Sequence, residues 1–241
     1  MAPPPPAATR ELTFFLAEPE RRLLRAIAAR LPAAVRSDHL TVLGVLGATG
    51  AGAAYALSSF SVAWLWAASA LLVVNWLGDS LDGTLARVRR HERPRYGYYL
   101  DHLVDAYSTA AVGVGIGLSP YVHLGIALGA VVLYLVLSIN VYLESTVFGA
   151  FRLGYGRFGP TEARLILIAA NGALGLGTAS TALSTAANLG LALLCAGMLG
   201  MLVVRFARNL RELSGAEPYP GPDRRPSRRV AALRYADRPG I

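Results

Sequence analysis

Four aspartates stand in two closely spaced pairs between two long apolar runs of the chain. Asp79 and Asp82 are about one helical turn apart, as are Asp101 and Asp105, so each pair shares one helix face. Divalent cations would offset the repulsion among these carboxylates, and oxygen ligands alone favour Mg²⁺ or Mn²⁺ over zinc. Because bound Mg²⁺ usually completes its shell with substrate phosphates, the pattern predicts a site for a phosphate-containing substrate.

Small residues and one arginine accompany the first pair. On a helical wheel of about 100° per residue, Gly83 and Ala86 lie among Asp79 and Asp82, with Arg87 at the edge of the stripe. The small residues leave space for a substrate against the helix, and a guanidinium binds phosphate oxygens through charge-assisted hydrogen bonds.

The second pair has Gly97 beside it on its own predicted helix. An alternative interpretation treats all four aspartates as interfacial charges that pair with neighbouring arginines. Left bare at membrane depth, they would cost about 10 kcal/mol together. Asp105 lies about two turns inside its predicted helix, which favours a functional site over a flanking charge.

Membrane helices must position these acids, because the 241-residue chain is 54% hydrophobic and only 16% charged, with a mean hydropathy of +0.43. Three windows of about 40 residues contain no Asp, Glu, Lys or Arg, and each can hold two spans of about 20 residues. The windows are Leu40–Gly78, Ala106–Leu143 and Leu165–Val204. Turn residues lie near their middles, at Ser58-Ser59, Ser119-Pro120 and Gly175–Ser184.

Charged residues lie outside these windows, and all 23 basic residues are arginine. The positive-inside rule places the charged regions, the aspartates and both termini on the cytoplasmic side. A bacterial plasma membrane is the predicted location, and no nucleic-acid partner is predicted from the net charge of +8. Cys195 is the only cysteine, which excludes a disulfide within the chain.

The predicted fold is an all-α integral membrane protein with six transmembrane helices in three hairpins. An N-terminal amphipathic helix over Arg10–Leu31 is expected to lie on the membrane surface. The predicted domains are a tail and surface helix over 1–36, a catalytic membrane domain over 37–211 and a disordered Pro- and Arg-rich tail over 212–241. The second membrane helix is expected to continue to about Arg90.

The two aspartate pairs together resemble a family signature. The residues are Asp79-Ser-Leu-Asp82-Gly83-Thr-Leu-Ala86-Arg87, a nine-residue spacer, and Gly97-Tyr-Tyr-Leu-Asp101-His-Leu-Val-Asp105. Every fixed position of the pattern D-x-x-D-G-x-x-A-R, then G-x-x-x-D-x-x-x-D, is present. In this the chain resembles the CDP-alcohol phosphotransferases, and with the six-helix layout the likeness covers most of Arg10–Arg208.

The resemblance implies an enzyme of phospholipid biosynthesis that moves a substituted phosphate group from a CDP-linked donor to an alcohol and releases CMP. It implies two divalent cations, Mg²⁺ or Mn²⁺, bound by Asp79, Asp82 and Asp101. Asp105 would ligate metal or accept the proton of the acceptor hydroxyl. The residues that would border the CDP are Gly83, Ala86, Arg87 and Gly97. Family members often form homodimers.

Two donor branches exist in this family. We favour CDP-diacylglycerol with a small polar alcohol, and the alternative is CDP-choline or CDP-ethanolamine with diacylglycerol. His102 after the third aspartate and Ser108-Thr109 after the fourth are similar to the second branch, which makes His102 an alternative base.

Three further residues on the predicted cytoplasmic side are candidates for binding the acceptor or headgroup: Arg152, Glu162 and Arg164. Thr161 is the predicted N-cap of the fifth membrane helix, where the helix dipole favours Glu162.

Other classes of protein fit the sequence less well. A secondary transporter also carries intramembrane carboxylates, but it usually shows repeated halves with broken helices. Membrane prenyltransferases lack the D-G-x-x-A-R continuation. A catalytically inactive scaffold is disfavoured because the signature is intact.

Overall fold

The computed structural model describes residues 17–148, 159–177, 180–217 and 219. This part of the chain is all-helical, as predicted, with seven helices and no strands. The helices are α1 Ala17–Arg30, α2 Ser37–Leu57, α3 Trp64–Arg89, α4 Pro94–Leu118, α5 Leu124–Phe148, α6 Pro160–Gly175 and α7 Ser180–Ala216. The chain forms two units, residues 1–200 and 201–241, and α1 to α6 lie in the first.

The helix breaks follow the turn signals of the sequence. α2 ends directly before Ser58-Ser59, and α4 ends directly before Ser119-Pro120. α3 continues through both of its aspartates to Arg89, which confirms the expected extension. In the last window, α6 and α7 are separated around Gly177, a glycine with a left-handed φ of 71°.

Among the described residues, three helices are long and apolar enough to cross a membrane, with candidate spans Ser37–Leu57, Leu124–Phe148 and Thr181–Ala216. α3 and α4 carry charged residues near one end, and α6 has 16 residues. The helix predicted from Arg10 is described from Ala17, because residues 1–16 lie outside the described part. α7 passes the predicted boundary at residue 211 and ends at Ala216.

α2 is the central helix of the candidate site, since it packs against both α3 and α4. In addition, α4 packs against α5, α6 against α3, and α1 against α3. Within the described residues, α3 and α4 do not pack along each other, although they follow one another in the chain. The acid-bearing ends of α3 and α4 are therefore connected chiefly through α2.

Glycines let α2 approach its two neighbours closely. A Cβ atom on Gly78 of α3 would lie 2.3 Å from the backbone nitrogen of Gly44 on α2. A Cβ atom on Gly115 of α4 would lie 2.2 Å from the carbonyl oxygen of Gly52 on α2. Such small-residue contacts allow backbones to meet, which is a common basis of helix association in membranes.

α1 packs onto the end of α3 that carries the aspartates. Its buried residues Leu24 and Ala28 form a cluster with Leu40 of α2 and with Leu81 and Leu85 of α3. The opposite face of α1 carries exposed arginines, namely Arg22, Arg25 and Arg30.

Candidate active site

Asp79 of α3 forms an ion pair with Arg164 of α6. Arg164 Nη2 on α6 donates to Asp79 Oδ2 at 2.9 Å, and Arg164 Nε donates to Asn75 Oδ1 at 3.0 Å. Asn75 Nδ2 donates in turn to the carbonyl oxygen of Gly44 at 3.0 Å. The Arg164 and Asp79 side chains are only 16% and 20% exposed, so water screens this ion pair weakly.

Asp82 is held by α2 and by its own backbone. Thr41 Oγ1 on α2 donates to Asp82 Oδ2 at 2.6 Å, and the backbone N–H of Gly83 donates to Oδ1. Both oxygens of this carboxylate therefore have a donor. The predicted ligand pair of α3 is thus oriented by three helices, α2, α3 and α6.

Arg87 folds back along α3 toward Gly83. A Cβ atom on Gly83 would lie 3.3 Å from Arg87 Nη1, so the guanidinium covers the space beside this glycine. Arg87 Nη2 donates to Thr84 Oγ1 at 3.2 Å, and Thr84 Oγ1 donates to the carbonyl oxygen of Ser80 at 2.8 Å. The structure therefore brings Arg87 and Gly83 together, as the wheel predicted.

The α4 acids lie near an open helix end. The Asp101 side chain is 44% exposed, and residues 91–99 before it are all exposed. A Cβ atom on Gly97 would meet nothing within 4 Å, so there is open space where the sequence predicts the CDP. Asp105 is half-buried one turn further along α4.

The two acid pairs lie within electrostatic reach of one another. The charges of Asp79 and Asp101 both act on the Asp82 carboxylate. The charges of Asp79 and Asp105 both act on the Tyr134 hydroxyl of α5. The acids of α3 and α4 thus act on common groups, and the facing of the two stripes stays a prediction.

α2 also holds α4 by a polar contact, because Thr49 Oγ1 and Tyr107 Oη form a hydrogen bond of 2.9 Å. α2 is thus tied to α3 near Asp82 and to α4 near Asp105. The space between the acid-bearing ends of α3 and α4 is bordered by α2.

His102 is packed between aromatic rings. Its ring centroid lies 4.1 Å from that of Tyr98 and 4.8 Å from that of Tyr142. His102 Nδ1 lies 2.7 Å from the carbonyl oxygen of Tyr98. A carbonyl oxygen only accepts, so Nδ1 carries the hydrogen, and in the neutral imidazole Nε2 is the basic nitrogen.

The prediction of Thr161 as an N-cap was wrong. Gly159 is the N-cap and Pro160 opens α6, so Thr161 lies inside the first turn. The Glu162 carboxylate accepts a hydrogen bond from the Gly159 backbone N–H at 3.0 Å and so caps the helix. Arg152, the third acceptor candidate, lies outside the described residues.

Several residues of the site were missed by the sequence reasoning. Asn75 and Thr41 position the α3 acids, and Tyr142 of α5 packs against His102 of α4. Asn75 carries a usable signal, because it is an amide in an otherwise apolar window. Thr41 carries none, since threonine is common in such windows.

Divalent cations fit this site in charge and in donor type, because four carboxylates are supplied by two neighbouring helix ends. Within the described residues, no three His, Cys, Asp or Glu side chains converge on one point. Asp79 instead faces Arg164, and Asp82 faces Thr41. To bind cations together with the α4 acids, these carboxylates would have to rotate away from Arg164 and Thr41.

Comparison with known proteins identifies the class. The family model described as CDP-alcohol phosphatidyltransferase matches residues 35–206, and the chain belongs to this family. The match includes α2 to α6 and all four aspartates. With its three apolar helices, the protein is an integral membrane member of a transferase family.

Two relatives share one name. Over 91 residues, the chain is 36% identical to the phosphatidylinositol phosphate synthase of Cutibacterium acnes, covering 37% of this chain and 41% of that protein. The match therefore spans less than half of that relative. The crystal structure of Mycobacterium tuberculosis phosphatidylinositol phosphate synthase with CDP-DAG bound is also similar, with a TM-score of 0.57 and 26% identity. That likeness covers 77% of this chain and 92% of that one.

Proposed function

We propose that the protein transfers a phosphatidyl group from CDP-diacylglycerol to the hydroxyl of a phosphorylated polyol, with inositol phosphate as the first candidate, and releases CMP. The observation that carries this proposal is the complete aspartate signature, carried by the consecutive helices α3 and α4. The two relatives named phosphatidylinositol phosphate synthase, one solved with CDP-DAG, support this donor and this acceptor.

In the proposed reaction, the acceptor hydroxyl oxygen attacks the phosphorus that carries the diacylglycerol. The bond between that phosphorus and the oxygen bridging to CMP breaks, and CMP leaves with the electron pair. The hydroxyl proton passes to Asp105, with His102 Nε2 as the alternative base. A positioned base of this kind typically contributes 10²- to 10⁴-fold, about 3–5 kcal/mol of barrier.

Asp79, Asp82, Asp101 and Asp105 would hold two divalent cations, Mg²⁺ or Mn²⁺. When bound, such cations neutralise the diphosphate and stabilise the leaving CMP. Arg87 is a donor to phosphate oxygens of CDP, in the space bordered by Gly83, Ala86 and Gly97. Arg164 is proposed to bind the acceptor phosphate, with Arg152 and Glu162 as further candidates.

The membrane arrangement is part of the same proposal. Six helices cross a bacterial plasma membrane, α1 lies on its cytoplasmic surface, and both termini and the site face the cytoplasm. The exposed arginines of α1 support contact with anionic headgroups. We propose domains over 1–36, 37–211 and 212–241, and a homodimer as the assembly.

A donor and acceptor panel tests the function. Purified protein in mixed micelles is given CDP-diacylglycerol with inositol phosphate, glycerol phosphate, inositol or serine, and separately CDP-choline or CDP-ethanolamine with diacylglycerol. We expect CMP release with CDP-diacylglycerol and a phosphorylated acceptor. Release only with CDP-choline or CDP-ethanolamine would move the protein to the other branch, and no release from any donor would contradict transferase activity.

Metal removal is a second test. Because only carboxylates are offered as ligands, excess chelator should abolish CMP release, and Mg²⁺ or Mn²⁺ should restore it. Zn²⁺ added at the same concentration is the control, because carboxylate ligands favour Mg²⁺ or Mn²⁺ over zinc. Full turnover in excess chelator would exclude the cation role of the aspartates.

A further inference from the structure

Glu20 on α1 accepts hydrogen bonds from two other helices. Its Oε1 accepts from Trp76 Nε1 at 2.7 Å and lies 3.4 Å from Ser80 Oγ, both on α3. Thr161 Oγ1 on α6 lies 3.0 and 3.1 Å from the two carboxylate oxygens. One carboxylate therefore joins α1, α3 and α6 at a single point.

The partners of Glu20 stand next to the proposed catalytic machinery. Ser80 directly follows Asp79, and Thr161 lies one turn before Arg164 on α6. α6 also bonds to α3 directly, through the Arg164–Asp79 ion pair, through Arg164 Nε to Asn75 Oδ1 at 3.0 Å and through Asn171 Nδ2 to Ser69 Oγ at 3.0 Å. Glu20 adds a link at the first turn of α6, through Thr161.

Glu20 is carried by a helix that is itself fixed. Leu24 and Ala28 anchor α1 in the cluster that it forms with α2 and α3. At the other end of α1, Arg89 Nη2 on α3 donates to the carbonyl oxygens of Leu31 and Pro32, each at 2.9 Å. Because both ends of α1 are attached to α3, the Glu20 carboxylate is a fixed acceptor against which α6 is placed.

We propose that Glu20 is a positioning residue that sets α6 against α3 and thereby holds Arg164 within reach of Asp79. Charge-assisted hydrogen bonds are about twice as strong as neutral ones, which suits a carboxylate to this task. The catalytic consequence rests on the proposed function, in which Arg164 binds the acceptor phosphate. The geometric part, the placement of α6, is independent of it.

Three variants separate positioning from general loss of charge. Glu20→Ala removes the acceptor, and Glu20→Gln keeps one side-chain oxygen acceptor. Glu18→Ala is the matched control, because Glu18 lies on the same helix and its ion pairs are with exposed Arg21 and Arg22.

Steady-state kinetics give the first readout. For Glu20→Ala we expect the acceptor KM to rise about tenfold, with the CDP-diacylglycerol KM within about twofold of wild type, since a misplaced binding group alters one substrate selectively. The acceptor KM of Glu20→Gln should lie close to that of wild type, and Glu18→Ala should behave as wild type. Equal changes in both KM values, or wild-type kinetics in Glu20→Ala, would overturn the catalytic part.

Hydrogen exchange gives a readout that needs no turnover. Amides 163–168 of α6 should exchange faster in Glu20→Ala than in wild type or Glu18→Ala. Unchanged exchange there would overturn the positioning role even if wild type is active, whereas inactive wild type with faster exchange would contradict only the proposed function. If Glu20→Ala does not fold, Thr161→Val removes the α6 bond alone and is subject to the same two measurements.

Discussion

The two halves of the aspartate signature differ in how the fold holds them. On α3, Asp79 is paired with Arg164, and Asp82 accepts from Thr41, in positions that neighbouring helices enclose. On α4, Asp101 is 44% exposed and Gly97 faces open space. One half of the motif is therefore enclosed by the helix packing, and the other half lies at an accessible helix end.

This difference suits a substrate with two unlike parts. The enclosed pair is held by donors on neighbouring helices, from which its carboxylates would turn to bind cations. A nucleotide needs room to enter and leave, which an open helix end provides. The comparison predicts that changes on the α3 side act first on stability and that changes on the α4 side act first on turnover.

The largest effect is expected from Asp105→Asn on the open half. Loss of a base or ligand should lower CMP release by at least about 100-fold, because proton transfer contributes 10²–10⁴-fold. The melting temperature in the same micelles should stay at the wild-type value. Normal turnover would show that Asp105 has no role in the reaction. A large drop in melting temperature would show that Asp105 supports the fold, as the α3 acids are expected to do.

A pair of glycine variants compares the two halves directly. Gly78→Ala forces a Cβ atom to within 2.3 Å of Gly44 backbone, so we expect a loss of about 1–3 kcal/mol of stability. Gly97→Ala meets nothing within 4 Å and should leave thermal stability unchanged or raise it by up to about 1 kcal/mol, while the donor KM rises. Equal melting temperatures for the two variants would contradict the contrast.

The Arg164–Asp79 pair tests how firmly the enclosed half is held. Arg164→Gln leaves a shielded carboxylate without its guanidinium, and we expect about 2 kcal/mol of destabilisation, partly recovered by adding Asp79→Asn. The control is Arg93→Gln, since Arg93 and Asp38 are 53% and 44% exposed and their coupling should stay below about 1 kcal/mol. Denaturation of the wild type and of the two single variants and the double variant of each pair, with Asp38→Asn completing the control pair, measures both couplings. Similar values would argue against enclosure.

The smallest effect is expected at Ser108 on α4. Its buried hydroxyl has no hydrogen-bond partner among the described residues. Ser108→Ala removes this unsatisfied group, so stability should stay within about 0.5 kcal/mol or increase. A loss above 1 kcal/mol, measured by thermal unfolding, would reveal a partner for this hydroxyl.

Local signals in the sequence predicted the helices well and their contacts poorly. The break at Ser58-Ser59 and the run of α3 through its aspartates depend on neighbouring residues, which the sequence displays. The bond from Thr41 to Asp82 depends on how two distant segments meet, and no local pattern reports it. The signature residues form a local pattern and could be predicted, whereas their partners on other helices form no pattern with them in the sequence.

Two further signals are present in the sequence. Proline is favoured at the first position of a helix, so Pro160 indicates Gly159 rather than Thr161 as the N-cap. Glu20 lies four and eight residues before Leu24 and Ala28, on the buried stripe of α1. An acid on the apolar stripe of an amphipathic helix indicates a partner inside the protein.

The contact of Gly44 with Gly78 has a consequence for redesigning substrate range. Because the two backbones touch, the separation of α2 and α3 is set by main-chain atoms, and no choice of side chain can widen it without parting the helices. A library that seeks new CDP-linked donors should therefore leave α2 and α3 constant. It should vary the exposed first turns of α4, where added side-chain volume meets open space.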